Sequence, residues 1–141
     1  MSRIQHIAIF ARQNVELAEF YKSAFGMEEV FRQPAGPSGE RTAVYLTDGH
    51  INLALLPSGP NGKEGIDHFG FKVDATQEAA DGAVAAGAKK GATAVPRDGR
   101  FAEVFVLDPV GTRIDLSESG WATTLIDEAT AAARIRDDRI S

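Results

Sequence analysis

The chain contains no cysteine. It can therefore form no disulfide, no thiolate metal site and no covalent cysteine intermediate. It also lacks a long apolar run, and a membrane-spanning helix needs about 20 consecutive apolar residues. The N-terminus leads directly into a predicted strand, without the apolar stretch of a secretory signal. These absences predict a soluble, cytoplasmic protein without a membrane partner.

Positive charge is also scarce in this chain. Fifteen lysines and arginines stand against twenty aspartates and glutamates, which gives a net charge of −5. No cluster of basic residues offers a face for a phosphate backbone, so nucleic acid is not the expected partner. A small molecule is the expected partner instead.

The remaining composition is that of a globular protein of the α+β class. With 141 residues and 43% hydrophobic residues, the chain is long enough for a single domain. Apolar periodicity predicts the element order β-α-β-β-β twice, in a first module of about residues 3–57 and a second of about 65–118. An amphipathic C-terminal helix is predicted over about 122–136. Asn14 and Asp74 are predicted to cap the helices of the two modules.

The two modules share a sequence pattern that begins with a histidine on a strand. His-Ile-Ala-Ile-Phe starts at His6, and His-Phe-Gly-Phe starts at His68. His68 follows His6 by 62 residues, and Asp115 follows Asn52 by 63 residues. Because successive strand residues face opposite sides of a sheet, both histidines are predicted on the open face, the side opposite the helices. A duplicated unit of this kind can bring four polar side chains to one central place.

Several alternatives are open for the residues of this face. A single strand histidine is as readily structural as it is a ligand, whereas both histidines together with an aspartate predict a metal site. Glu103 and Tyr45 face the same cleft by parity, where either could act as a general acid or base. Alternatively, Tyr45 packs against the ligand and Glu103 pairs with a neighbouring arginine. Arg113 could hold a substrate carboxylate in bidentate fashion, and Phe105 would form an apolar wall.

The sequence resembles the vicinal oxygen chelate superfamily over roughly residues 3–118. That superfamily includes glyoxalase I, bleomycin-resistance proteins, extradiol dioxygenases, fosfomycin-resistance enzymes and methylmalonyl-CoA epimerase. The resemblance lies in the segments around His6 and His68, in the helix segment Ala-Glu-Phe-Tyr that ends at Tyr21, and in Asp-Pro-Val-Gly-Thr-Arg-Ile-Asp-Leu from Asp108. It implies two βαβββ modules that form an open, curled mixed sheet around a metal-bearing cleft.

The resemblance also implies which residues bind the metal. His6 and His68 match the ligands on the first strand of each module, and Asp115 stands where the family usually has glutamate. Asn52 stands at the fourth position, where an amide coordinates weakly and cannot act as a base, so it is assigned to substrate binding. Glu118 is a reserve ligand in case Asp115 is too short. Two imidazoles and one carboxylate suit divalent Fe, Mn, Co, Ni or Zn.

The function predicted from these residues is that of a metal-dependent enzyme. It would act on a small, oxygen-rich, anionic substrate through metal-stabilised oxyanion chemistry, as an isomerase, lyase or dioxygenase. The alternative is a metal-free ligand-sequestering protein of the bleomycin-resistance type, which would tolerate loss of either histidine. Metal-dependent transfer to an epoxide such as fosfomycin is a weaker option. A homodimer is predicted, with the site either within one chain or shared between two.

Overall fold

The computed structural model describes residues 1–33, 42–91 and 104–125. Their helices and strands are β1 (Arg3–Ala11), α1 (Asn14–Phe25), β2 (Glu28–Arg32), β3 (Val44–Thr47), β4 (Asn52–Pro57), β5 (Gly65–Lys72), α2 (Thr76–Ala85), β6 (Lys89–Lys90), β7 (Val104–Leu107) and β8 (Arg113–Ser117). The strands form one sheet in the order β2-β3-β4-β1-β5-β8-β7-β6. This open mixed sheet with two helices confirms the predicted α+β fold. Neither described helix is long and apolar enough to cross a membrane.

The two halves of the chain meet at the centre of the sheet. β1 and β5, the first strand of each half, pair antiparallel with each other. Each then pairs parallel with the last strand of its own half, β1 with β4 and β5 with β8. The four central strands therefore come from the beginning and the end of each half, which is where the candidate ligands lie.

Helix α1 covers one face of the sheet, as the alternation of apolar residues predicts. It ends at Gly26, whose φ of 69° lies in the left-handed region that glycine adopts without strain. The buried residues beneath it come from the helix and three strands: Ile9, Ala18, Val44, Leu46, Leu53 and Leu55. A second buried cluster beneath α2 contains Val73, Val106 and Leu116. The open face carries the polar residues His6, Asn52, His68 and Asp115 beside a third buried cluster that includes Ala8, Tyr45 and Ala54.

Asn14 does not cap α1. The helix begins at Asn14 itself, and no side chain caps it. The Asn14 amide is buried and donates hydrogen bonds to the backbone oxygens of Thr42 at 2.6 Å and Leu55 at 3.0 Å. The prediction was wrong because the buried side-chain amide donates to two backbone carbonyls that are distant along the chain, and a buried amide needs such partners.

The beginning of α2 also differs from the prediction. Asp74 makes no capping hydrogen bond, and Ala75 is the N-cap residue. The carboxylate of Glu118 accepts hydrogen bonds from the backbone nitrogen of Thr76 at 3.1 Å and from its hydroxyl at 3.0 Å. These two bonds lower the pKa of Glu118. Glu118 therefore caps a helix at the surface and is not among the three ligand-type residues that converge on the open face.

The predicted C-terminal helix lies mostly outside the described residues. Residues 122–125 are described and are not helical. The backbone oxygens of Ala122 and Thr123 instead accept hydrogen bonds from side chains of the sheet. Tertiary contacts thus replace the predicted first turn of the helix.

Candidate metal site

The candidate site lies on the open face at the centre of the sheet. Backbone pairing aligns one residue from each of the four central strands, and side chains that are paired in this way share a face of the sheet. From β4 to β8 the aligned residues are Asn52, His6, Gly70 and Asp115. His68 lies in the adjacent row, between Ala8 on β1 and Arg113 on β8. Both predicted histidines are therefore on the same face, next to Asp115.

Three possible ligand atoms converge at this point. The Nε2 atoms of His6 and His68 are 3.4 Å apart, and His68 Nε2 is 3.2 Å from Asp115 Oδ2. All three ligand atoms lie within 4.8 Å of one another. The residues are 1%, 7% and 0% exposed, respectively. Buried polar groups of this kind need partners, and a shared cation would satisfy all three.

His68 is held between two carboxylates. Its Nδ1 lies 2.8 Å from Asp67 Oδ2, and its Nε2 faces Asp115. Burial alone would lower the pKa of His68, but the hydrogen bonds to Asp115 and Asp67 outweigh burial and raise it. Without a metal, these two contacts stabilise the protonated form of His68, whose charge offsets that of Asp115.

His6 has the opposite electrostatic environment. Burial, together with the neighbouring His68, lowers the pKa of His6 to about 4. His6 is therefore neutral at physiological pH and keeps a lone pair available on one ring nitrogen. Its Nδ1 and the Oδ1 of Asn52 are both buried, and the side-chain interaction with Asn52 acts against the lowering of the His6 pKa.

The two histidines should titrate on opposite sides of the usual histidine pKa of about 6.5. In metal-free protein, His6 should stay neutral down to about pH 4, and His68 should stay protonated above pH 6.5. The lowered pKa of His6 reduces stability as the pH falls from about 6.5 towards 4, because the unfolded chain then binds more protons. The raised pKa of His68 stabilises the fold at low pH, and this contribution is lost as the pH rises through the folded-state pKa. NMR titration of both rings measures this, and a common midpoint near 6.5 would contradict it.

A tryptophan covers one side of the site. The indole of Trp121 stacks on the His6 ring, with a centroid separation of 4.6 Å and an interplanar angle of 5°. Its backbone nitrogen donates to Gln5 Oε1 at 2.9 Å. The indole lies directly over Gly70, where a Cβ atom would come within 2.5 Å of it. Gly70 is therefore required because the indole occupies the space above that strand.

The residues after Trp121 continue across the open face. Asn52 Nδ2 donates to the backbone oxygen of Ala122 at 2.8 Å, and Thr47 Oγ1 donates to that of Thr123 at 3.3 Å. We call residues 121–123 the strap. Sequence reasoning missed the strap, although a lone tryptophan after the last strand and a glycine in the middle of β5 were both visible signals.

The other predicted site residues have different environments. Tyr45 is 2% exposed and stacks on Phe31 at 5.7 Å, within an apolar cluster. The guanidinium of Arg113 lies over the Phe105 ring at 4.4 Å, and its Nε donates to Asp115 Oδ1 at 2.6 Å. Glu103 lies outside the described residues. The structure thus brings Arg113 and Phe105 to the edge of the site and buries Tyr45.

The donor set fits a divalent transition metal. Two imidazole nitrogens and one carboxylate oxygen are the ligand types that Zn, Fe, Mn, Co and Ni share, whereas Ca²⁺ and Mg²⁺ prefer oxygen alone. Three protein ligands leave further coordination positions for a substrate. The hydrogen bond from His68 to Asp67 is the kind of outer contact that accompanies metal-binding histidines.

Solved structures of other proteins share this fold at low sequence identity. A hypothetical protein from Bacillus halodurans aligns with a TM-score of 0.60 and 16% identity, over 82% of this chain and 92% of that one. A methylmalonyl-CoA epimerase variant from Streptomyces coelicolor, in complex with 2-nitronate-propionyl-CoA, aligns with a TM-score of 0.56 and 20% identity, over 82% and 96%. The 2,3-dioxygenase LapB from Pseudomonas sp. KL28 aligns with a TM-score of 0.60 and 21% identity, over 96% of this chain but 48% of that one.

Sequence comparison gives the family directly. No curated protein sequence matches the chain significantly. The family model of the Glyoxalase/Bleomycin resistance protein/Dioxygenase superfamily matches residues 3–116, which include both histidines and Asp115. Together with the shared fold, this match confirms the resemblance seen in the sequence: the chain belongs to the glyoxalase/bleomycin resistance protein/dioxygenase superfamily.

Proposed function

We propose that this protein is a metal-dependent enzyme acting on a small, oxygen-rich substrate. The observation that carries the proposal is the convergence of three buried ligand atoms, from His6, His68 and Asp115, within 4.8 Å. Burying two imidazoles and a carboxylate together is costly unless a cation or a proton links them. A site of this composition at the centre of the open face is best explained as a metal-binding site.

Each residue of the site has a proposed role. His6, His68 and Asp115 hold the metal, which when bound supplies a Lewis acid that stabilises a developing oxyanion. Arg113 is about a third exposed at the edge of the site and attracts the anionic part of the substrate. The ring of Phe105, beneath Arg113, keeps its guanidinium in place.

Glu103 and Tyr45 are the two candidates for the proton-transfer group. Glu103 stays a prediction as the general acid or base, because it lies outside the described residues. Tyr45 also stays a prediction, although its ring is almost fully buried beside Phe31. Asn52 is neutral and its amide nitrogen holds the strap, so its proposed contact with substrate is through its carbonyl oxygen. The reaction class, isomerase, lyase or dioxygenase, depends on which base acts.

The structural neighbours support a small, oxygen-rich substrate. One is an epimerase in complex with a nitronate analogue of a CoA ester, and another is a dioxygenase. At 20% and 21% identity these neighbours share the fold of this chain. An anionic substrate is proposed because Arg113, which is about a third exposed and also pairs with Asp115, places a positive charge at the edge of the site.

Metal analysis of the purified protein tests this proposal. Wild-type protein dialysed against Mn²⁺, Co²⁺, Fe²⁺, Ni²⁺ or Zn²⁺ should retain one ion per chain, and His6→Ala and His68→Ala should retain none. His50→Ala is a matched control, because His50 lies in an exposed turn. The only tryptophan of the chain stacks on His6, so Co²⁺ or Ni²⁺ should also quench its fluorescence. Absence of stoichiometric metal in the wild-type protein would contradict the proposal.

The same experiment separates the alternative function. A metal-free ligand-sequestering protein would bind its ligand after chelation and in both histidine variants. The proposed enzyme would lose ligand binding in all three cases, because its ligand contacts the metal. The homodimer and the cytoplasmic location also stay predictions. Light scattering of purified protein measures the first, and subcellular fractionation measures the second.

A further inference from the structure

We propose that the residue preceding each histidine positions that histidine for metal binding, Asp67 directly and Gln5 through Trp121. This inference rests on the proposed function, because it concerns the same metal. Neither Asp67 nor Gln5 is a ligand candidate itself. Each is instead the extra residue of a β-bulge in the β1–β5 pair, and the bulge turns its side chain towards the site.

The first bulge lies at Asp67. Ala8 on β1 pairs with His68, and the next residue, Ile9, pairs with Ile66. One step along β1 thus matches two steps along β5, and Asp67 is the unpaired extra residue. In a regular strand, Asp67 and His68 would point to opposite faces of the sheet. A bulge re-aims the extra side chain, which explains how the Asp67 carboxylate reaches the ring of its own neighbour.

The Asp67 contact fixes the chemical form of His68. Asp67 Oδ2 lies 2.8 Å from His68 Nδ1 and accepts the hydrogen of that nitrogen. With Nδ1 as the donor, Nε2 is the atom that can present a lone pair to a metal, and Nε2 is the atom that faces His6 and Asp115. The negative charge of Asp67 also makes Nε2 a stronger donor. Asp67 is therefore the positioning residue of His68.

The second bulge lies at Gln5, in the equivalent place before His6. Ile4 pairs with Phe71, and His6 pairs with Gly70, so Gln5 is the extra residue on β1. Its Oε1 accepts the backbone N–H of Trp121 at 2.9 Å, and the indole of Trp121 stacks on the His6 ring. His6 is thus held by a stacked indole ring, whereas His68 is held by a carboxylate.

If Asp67 had a purely structural role, its substitution would lower the stability of the fold. The positioning role predicts a loss of metal affinity instead. The side chain of Asp67 is 34% exposed, and partly exposed ion pairs contribute little to stability. Substitution of Asp67 should therefore leave the fold almost unchanged, and its main effect should be on metal affinity. That separation between folding and affinity makes the role measurable in the full chain.

Competition between the protein and a chromophoric chelator for Zn²⁺ tests the role of Asp67. Asp67→Ala should weaken zinc binding by about 10- to 100-fold, which is the usual effect of removing a carboxylate partner of a ligating histidine. Asp67→Asn keeps an acceptor but not the charge, so its loss should be smaller. Asp74→Asn is the matched control, because Asp74 is 97% exposed and its ion pair is with the equally exposed amino group of Met1. The control should stay within about twofold of wild type.

A spectroscopic measurement accompanies the titration. The ¹⁵N shifts of zinc-loaded wild-type protein should show His68 protonated at Nδ1, and Asp67→Ala should lose this fixed tautomer. For the other bulge, Gln5→Ala should weaken zinc binding about fivefold, the effect of one hydrogen bond, and should change the emission of Trp121. Gln77→Ala on the exposed face of α2 is its control.

The outcomes separate this inference from the proposed function. If wild-type protein binds no zinc, the proposed function fails. If wild-type protein binds zinc and Asp67→Ala binds it equally well with an unchanged His68 tautomer, the positioning role is overturned while the metal site stands. Loss of folding in Asp67→Ala, seen by circular dichroism, would also overturn it, because Asp67 would then be structural.

Discussion

Replacing Asp115 by asparagine should weaken divalent metal binding by about 100- to 1,000-fold. Asp115 is the only anionic residue among the three proposed ligands, and it is fully buried. Removing one member of a buried charge pair costs about 3–5 kcal/mol, and the lower part of that range, about 3–4 kcal/mol, corresponds to two to three powers of ten in affinity. The substitution also leaves the buried end of Arg113 facing an amide. Isothermal titration of Zn²⁺ or Mn²⁺ into metal-free protein measures the change.

Two further variants sharpen the result for Asp115. Glu118→Gln removes the same charge from the end of β8, but Glu118 caps α2, so metal binding should stay at the wild-type level. Asp115→Glu adds a methylene group at a site with no exposed surface, so we expect metal binding about tenfold weaker than wild type, from roughly 1.4 kcal/mol of packing strain. If Asp115→Asn binds metal as wild type does and Glu118→Gln does not, the ligand assignment must be exchanged.

The sequence alone was enough to find the three possible ligands because they obey simple alternation. His6 lies on the face opposite Ile7 and Ile9, and the structure keeps Ile9 in the core beneath α1. The match between the halves indicated that the first and last strands of each half meet, and β1, β4, β5 and β8 are indeed the central strands. Where every residue of a strand pairs regularly, side-chain direction follows from position alone.

The same rule fails where the pairing is irregular. Gln5 and Asp67 are extra residues in bulges, so alternation gives the wrong direction for their side chains. No residue type marks a bulge of this kind in a single sequence. The hydrogen bonds of Asn14 and Glu118 were not predicted for a related reason. Their partners are backbone atoms that are distant along the chain. Such contacts depend on how the elements pack, which periodicity does not specify.

The comparison of the two halves of the sequence also did not predict the register between the strands. The near-constant offset made Asp115 the counterpart of Asn52, which lies level with His6. In the structure, Asp115 lies level with Gly70, while His68 pairs with Arg113. The second half is therefore no exact copy of the first, and its aspartate reaches the site from the row that also holds His6.

Substituting alanine for Gly70 should displace the indole of Trp121 from the His6 ring and expose the side of the site that the strap covers. The new Cβ atom would lie 2.5 Å and 2.9 Å from two ring carbons of Trp121, closer than real Cβ contacts. The backbone of β5 is fixed by pairing on both sides, so the indole has to leave the His6 ring. Overpacking of this kind lowers the free energy of unfolding by up to about 3 kcal/mol. Denaturant unfolding measures the loss, and a red shift of Trp121 emission reports the displaced ring.

A double variant shows whether the clash with the indole of Trp121 causes the loss of stability in Gly70→Ala. Trp121→Ala alone removes the stack on His6 and should itself destabilise the fold. In Gly70→Ala/Trp121→Ala the clash no longer exists, so the glycine substitution should cost almost nothing in that background. The two losses should therefore fall short of additivity by about 2 kcal/mol, within the range for residues in direct contact. Simple additivity would mean that Gly70 is required for another reason. Gly82→Ala on α2, where a Cβ atom meets nothing within 4 Å, is the control for the substitution itself.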